Sequence, residues 1–239
     1  MLFIIVLIAI SILFFVLQVV LFHNVNEGMF LFVQDLWFLP INVIIVSFIL
    51  DRFIALREKK EKLERLNILI NDFFNEAGRD ILCALNPFIQ NLEEISAIAA
   101  ISVRWKEEDF KKAVDVMEKA AVSANAAKGD LSCLRDVLRE KKKNIMAMVE
   151  NPSLLEHDRF TEMLWAVYHL ADELMAREDF AALPNADMEH LSGDMKRAYR
   201  YLCVEWLHFN NYIKQKYPYL FSLAHRKSPF HKNSVVIDN

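Results

Sequence analysis

DMEHLSGDMKRAYRYLCVEWLHFNNYIKQK, residues 187–216, contains one Gly, no Pro and no strand-like alternation. Projected at about 100° per residue, it places Leu191, Met195, Ala198, Leu202, Phe209 and Ile213 on one face, the stripe of a long helix that packs against others. Upstream, the turn Leu183-Pro184-Asn185 separates it from a helix predicted over 158–177, whose stripe is Phe160, Leu164, Val167, Ala171 and Leu174. The breakers Asn151-Pro152 and Gly129-Asp130 bound another helix over 131–150. Two more are predicted, from Trp105 to about Ala127 and from Pro87 to about Ser102. The fold class is all-α.

Further upstream, DRFIALREKKEKLERLNILINDFF at 51–74 has no Gly or Pro, so a continuous stalk helix is expected to run to Asn86-Pro87, where proline and its predecessor break it. Leu56, Leu63, Ile70 and Ala77 recur every seventh residue, with Leu66 and Phe73 at the intermediate positions, a short coiled-coil pattern. It suits one helix of an intramolecular bundle or self-association through the stalk.

The 239 residues carry a net charge of −4, with only 4 Gly and 6 Pro, which argues against a turn-rich β protein and against disorder. Charge is unevenly spread: the first fifty positions hold two acids, Glu27 and Asp35, and no Lys or Arg. Residues 1–22 are uncharged and would span roughly 33 Å as a helix. A second apolar run, Phe30 to Leu50, follows a short polar loop. The two predict a transmembrane hairpin, and the basic residues from Arg52 to Arg65 predict that residues 51–239 and both termini are cytosolic, at the inner membrane. Gln18 and Asp35 are expected at similar depth as a hydrogen-bonding polar pair, with Phe30 and Trp37 in an interfacial belt. The expected organisation is a hairpin at 1–50, a basic stalk at 51–86, a helical domain at 87–225 and an exposed tail at 226–239.

QDLWFLP at 34–40, FFNEAG at 73–78, ENPSLLEH at 150–157 and YPYLFSLAHRKSPF at 217–230 together resemble a family of uncharacterised prokaryotic membrane proteins with two N-terminal membrane helices and a cytosolic helical region. The resemblance implies architecture and no activity.

On the 187–216 helix a polar stripe adjoins the apolar one: His190, Asp194, Tyr201, Glu205, His208 and Tyr212 fall within roughly 60°. The preceding helix offers Glu162, His169 and Glu173. Helical bundles build metal sites from Glu-x-x-His and further carboxylates, and Glu205 with His208 supplies one such pair. Hence His169, Glu173, His190, Asp194, Glu205 and His208 are candidate ligands for a transition-metal ion with a redox or sensing role. The competing reading makes them hydrogen-bonded pairs at the edge of the bundle. His169 and Glu173 project opposite their helix's apolar stripe, which favours water over a closed site.

The three cysteines, Cys83, Cys133 and Cys203, show no C-x-x-C spacing. No P-loop, GxSxG, GxGxxG or HExxH pattern occurs. The acidic balance offers no concentrated basic face for nucleic acid. The reading that follows is a membrane-anchored helical interaction module, a scaffold or sensor, with the lipid bilayer and further copies of the chain as partners. Metal binding is the alternative, and a subunit of an oligomeric channel a third.

Overall fold

The structure, a computed structural model, describes residues 16, 17, 20, 25–151, 154 and 157–230. All its regular elements there are helical. In chain order they are α1 (Val25–Phe73), a π-helical turn (Phe74–Gly78), α2 (Arg79–Leu85), a 3₁₀ turn (Asn86–Phe88), α3 (Leu92–Ala99), α4 (Glu107–Lys119), a 3₁₀ turn (Ala126–Lys128), α5 (Leu131–Val149), α6 (Asp158–Met175), α7 (Asn185–Lys216) and α8 (Pro218–Arg226). The chain divides into two compact units, Met1–Glu61 and Lys62–Asn239.

In the second unit α7 is the central element, packed along α4, α6 and α8. Its predicted stripe is buried in full, as are the five stripe residues of α6. Each of the Leu, Ile, Val, Met and Phe side chains among them contributes roughly 1.5–3 kcal/mol of burial, enough to fix which face of each helix turns inward. The far end of α1 enters the same core. Leu66, Ile70, Phe73 and Ala77 are buried, and Phe73 meets the Phe160 ring edge-on while Phe74 stacks on Phe209. The heptad pattern therefore splits, because Leu56 and Leu63 are 57% and 47% exposed.

Local chemistry sets the helix starts. Asp130 accepts hydrogen bonds from the backbone N–H groups of Ser132 and Cys133, capping α5. His157 Nδ1 accepts from Phe160 N at the start of α6. Pro184 precedes α7 in extended backbone, and Asp187 sits in its positive first turn. At Gly129 a Cβ would lie 2.6 Å from the Phe88 ring, so the close approach of turn and aromatic requires glycine.

The structure departs from expectation in several places. α4 ends at Lys119, not near Ala127, because residues 120–125 run extended to pair with the turn before α3. Gln90 N donates to Ser123 O, Asn125 N to Phe88 O, and Asn91 accepts from Ser123 N while donating to Ala121 O. The expected tail begins docked: Ser228 is buried, Pro229 O accepts from Asn86 Nδ2, and Phe230 packs on Trp206.

Among the described residues no helix is long and apolar enough to cross a membrane. This corrects the expected multi-pass inner-membrane location, and with it the transmembrane hairpin, the cytosolic placement of the termini and the channel reading. The apolar run of α1 is broken by Gln34, Asp35, Pro40 and Asn42 and continues into Asp51 and Arg52; an acid at the centre of a bilayer costs about 2.5–3.5 kcal/mol. Of residues 1–22 only Val16, Leu17 and Val20 are described, so the first expected membrane helix and Gln18 lie outside the described residues. Asp35 is exposed.

Candidate metal centre

α6 and α7 each present a histidine and a carboxylate one helical turn apart, His169 with Glu173 and His190 with Asp194. Four ligand atoms, one from each, lie within 4.8 Å of one another. His169 Nε2 stands 3.4 Å from Asp194 Oδ2 and 3.7 Å from Glu173 Oε1. His190 Nε2 stands 3.4 Å from Asp194 Oδ2 and 3.6 Å from Glu173 Oε2. The first residue of each helix's pair faces the second of the other, so the two helices pass antiparallel here, as their short connection requires.

These separations have a chemical meaning. Donors around a tetrahedral ion with bonds of about 2.1 Å stand about 3.4 Å apart. Asp194 is 3% exposed, and its Oδ2 is buried without a hydrogen-bond partner although two imidazole nitrogens lie beside it. An unsatisfied buried carboxylate oxygen costs about 1–3 kcal/mol or more, a cost that a cation would remove. The imidazoles are about half exposed, so one side of the cluster opens to solvent.

Two arginines orient the carboxylates from outside. Arg177 Nη1 donates to Glu173 Oε2 at 2.7 Å and to the Glu173 carbonyl at 2.5 Å, and its other nitrogens grip both oxygens of Asp187 at 2.5 and 2.6 Å. It joins the end of α6 to the first turn of α7. Its hydrogen bond holds the Glu173 carboxyl below the ordinary carboxylate range. Arg197 reaches Asp194 Oδ1 at 3.2 Å, leaving Oδ2 turned toward the imidazoles. Supporting hydrogen bonds of this kind fix metal-binding carboxylates.

Glu205 and His208 do not join the cluster. They share its sector of α7 but begin eleven residues past Asp194, about 16 Å along the axis. The six expected ligands are thus four in one place and two in another. The sequence reading missed Arg177 and Arg197, although Glu173–Arg177 at i, i+4 and Asp194–Arg197 at i, i+3 are ordinary helix pairs and legible as such.

The fold is an all-helical bundle with a histidine–carboxylate cluster between two of its longer helices. The chain belongs to a family of proteins described by their helical domains. Residues 62–226 match the family described as "Uncharacterized protein MJ1433, C-terminal helical domain", and residues 1–54 match "MJ1433, N-terminal helical domain". The uncharacterized protein MJ1433 of the archaeon Methanocaldococcus jannaschii is 36% identical over 233 residues, covering 97% of this chain and 93% of its own. No solved structure matches. The expected family resemblance is shown in its helical two-part architecture; its membrane character is not supported.

Proposed function

We propose that the second unit is a metal-responsive helical module that binds one divalent transition-metal ion through His169, Glu173, His190 and Asp194. The observation that carries this is the buried Asp194 Oδ2, which accepts no hydrogen bond although two imidazole nitrogens stand 3.4 Å away. Two imidazoles with two carboxylates suit Zn²⁺, Fe²⁺ or Mn²⁺. An ion there ties α6 to α7, and the open side leaves room for water in its coordination shell. Calorimetric titration of metal-free protein with Zn²⁺ tests it. One ion per chain is expected, with a Tm rise of roughly 5–10 °C at a hundredfold excess over Kd. His190→Ala and Asp194→Asn should each weaken binding at least about tenfold. Equal binding by both variants and the wild type would refute the assignment.

A second reading, self-association, rests on α1. Ile44, Ile45, Val46, Phe48, Ile49 and Leu50 are all at least 50% exposed; Leu56 in the first unit and Leu63 in the second are exposed as well. A second copy of the same helix is the partner that covers them. Light scattering of the full chain should show a dimer or higher oligomer, and Leu56→Ser with Leu63→Ser should reduce the mass. A monomeric wild type removes this reading. Ile70 and Phe73 are unsuitable for the test, being buried in the core.

A further inference from the structure

At the end of α7 remote from the metal cluster, the segment before α4, the last turn of α7 and α8 border a cavity of about 530 Å³, a size that suits a small organic ligand. Lys214, in its lining, stands twenty residues past Asp194, about 30 Å along the helix. Val103, Pro218 and Phe221 supply apolar walls, and Lys214, Ser222, His225 and Arg226 the polar ones. Phe221 and His225 stack with ring centroids 6.1 Å apart, which gives one wall a flat face. No carboxylate is among these lining residues.

Contacts with other lining residues fix the charged ends of both cations at this cavity. Lys214 Nζ donates to the Val103 carbonyl at 2.6 Å and to the Trp105 carbonyl, and stands 5.2 Å from the Phe221 ring centroid. Arg226 Nη1 donates to Ser222 Oγ at 2.8 Å. Carbonyls, an aromatic ring and a hydroxyl carry no net charge, so these contacts orient the two cations without neutralising them. Among the described residues neither cation forms an ion pair. The acid whose charge reaches Lys214 is Asp109, and its Oδ2 accepts from Lys106 N. Burial holds the Lys214 ammonium below its ordinary range, the mark of a cation short of a counter-charge. An oxyanion answers both cations, since their N–H groups bind ionised oxygen more strongly than neutral acceptors. A carboxylate has one oxygen for each cation and leaves no further charge against the apolar walls, as a phosphate would. We propose that this cavity binds an aliphatic monocarboxylate, its oxygens held by Lys214 and Arg226 and its hydrocarbon lying against Val103, Pro218 and Phe221.

The test is calorimetry and thermal unfolding of the full chain near pH 7 with octanoate, hexanoate, octanol, octylamine and acetate. Octanoate is expected to bind once per chain and raise Tm, and hexanoate to bind about tenfold more weakly for its two missing methylenes. Octanol and octylamine, lacking the negative charge, should bind at least about tenfold more weakly than octanoate, and acetate, lacking the hydrocarbon, not at all. Arg226→Gln should weaken octanoate at least about fivefold. Val103→Glu sets a carboxylate at a wall position that is 61% exposed; it should weaken octanoate by a similar factor through like-charge repulsion, and it serves where the first variant does not fold. Octanol or octylamine binding as tightly as octanoate, an octanoate response equal in wild type and both variants, or no octanoate binding would overturn the proposal.

Discussion

Replacing Glu205 with Gln should stabilise the protein at alkaline pH and leave it unchanged in acid. Glu205 is buried without a partner for Oε1, and desolvation raises its carboxyl from 4.5 to about 7, against a partial opposing pull from the Arg159 charge. The folded state thus holds the proton more tightly than the unfolded chain. Stability from this group is complete below pH 4.5, falls as pH rises through 7, and is constant above. The loss amounts to about 3 kcal/mol. Gln keeps the shape and never ionises, so Glu205→Gln should match the wild type near pH 4 and gain about 3 kcal/mol at pH 8, or roughly 6–12 °C in Tm for a unit of this size. His208 runs the other way: burial lowers its imidazole from 6.5 to about 4, so its contribution is lost as pH falls through that range. The two slopes largely cancel in the wild type, and the effect appears as the difference between variant and wild type. Urea unfolding of both proteins from pH 4 to 8 measures it. A difference that does not grow with pH refutes the buried, unpaired carboxyl.

Arg177→Ala should weaken Zn²⁺ about 10–100-fold while leaving one ion per chain, because it frees Glu173 Oε2 without removing a ligand; calorimetry reads both quantities. Gly129→Ala should cost about 1–3 kcal/mol in urea unfolding, since the added methyl would lie 2.6 Å from the buried Phe88 ring, which must shift to admit it.

Residues that decide packing were legible because burial on a helix has a period. The stripes of α6 and α7 could be read one residue at a time, and Gly129-Asp130, Pro184 and Pro87 mark real boundaries by their backbone chemistry. The end of α4 was not legible. Residues 120–125 leave the helix to meet Gln90 and Asn91, a partnership about thirty positions apart with no Gly or Pro to announce it. The membrane location was read from the apolar runs and the basic residues that follow Leu50, a pattern that says what leaves water and not what receives it; among the described residues no helix is long and apolar enough to cross a membrane. At the candidate site the helical projection put His190, Asp194, Glu205 and His208 in one sector of α7 and erased their separation along the axis. Asp194 and Glu205 differ by about 20° in direction and about 16 Å in height. His169 and Glu173 were expected to face water because their own helix turns its apolar stripe away from them. α7 nonetheless delivers Asp194 against that polar side, a fact that belongs to the register of two helices and to neither sequence pattern alone.

Elemental analysis of protein purified without a polyhistidine tag tests most directly whether His169, Glu173, His190 and Asp194 hold a metal ion between α6 and α7. The wild type is expected to carry close to one equivalent of a single transition metal, while His190→Ala and Asp194→Asn, folded by circular dichroism, carry little. Trace metal in all three, or an equal content that ignores both substitutions, would contradict the account and leave the four residues as polar pairs at the edge of a helical bundle.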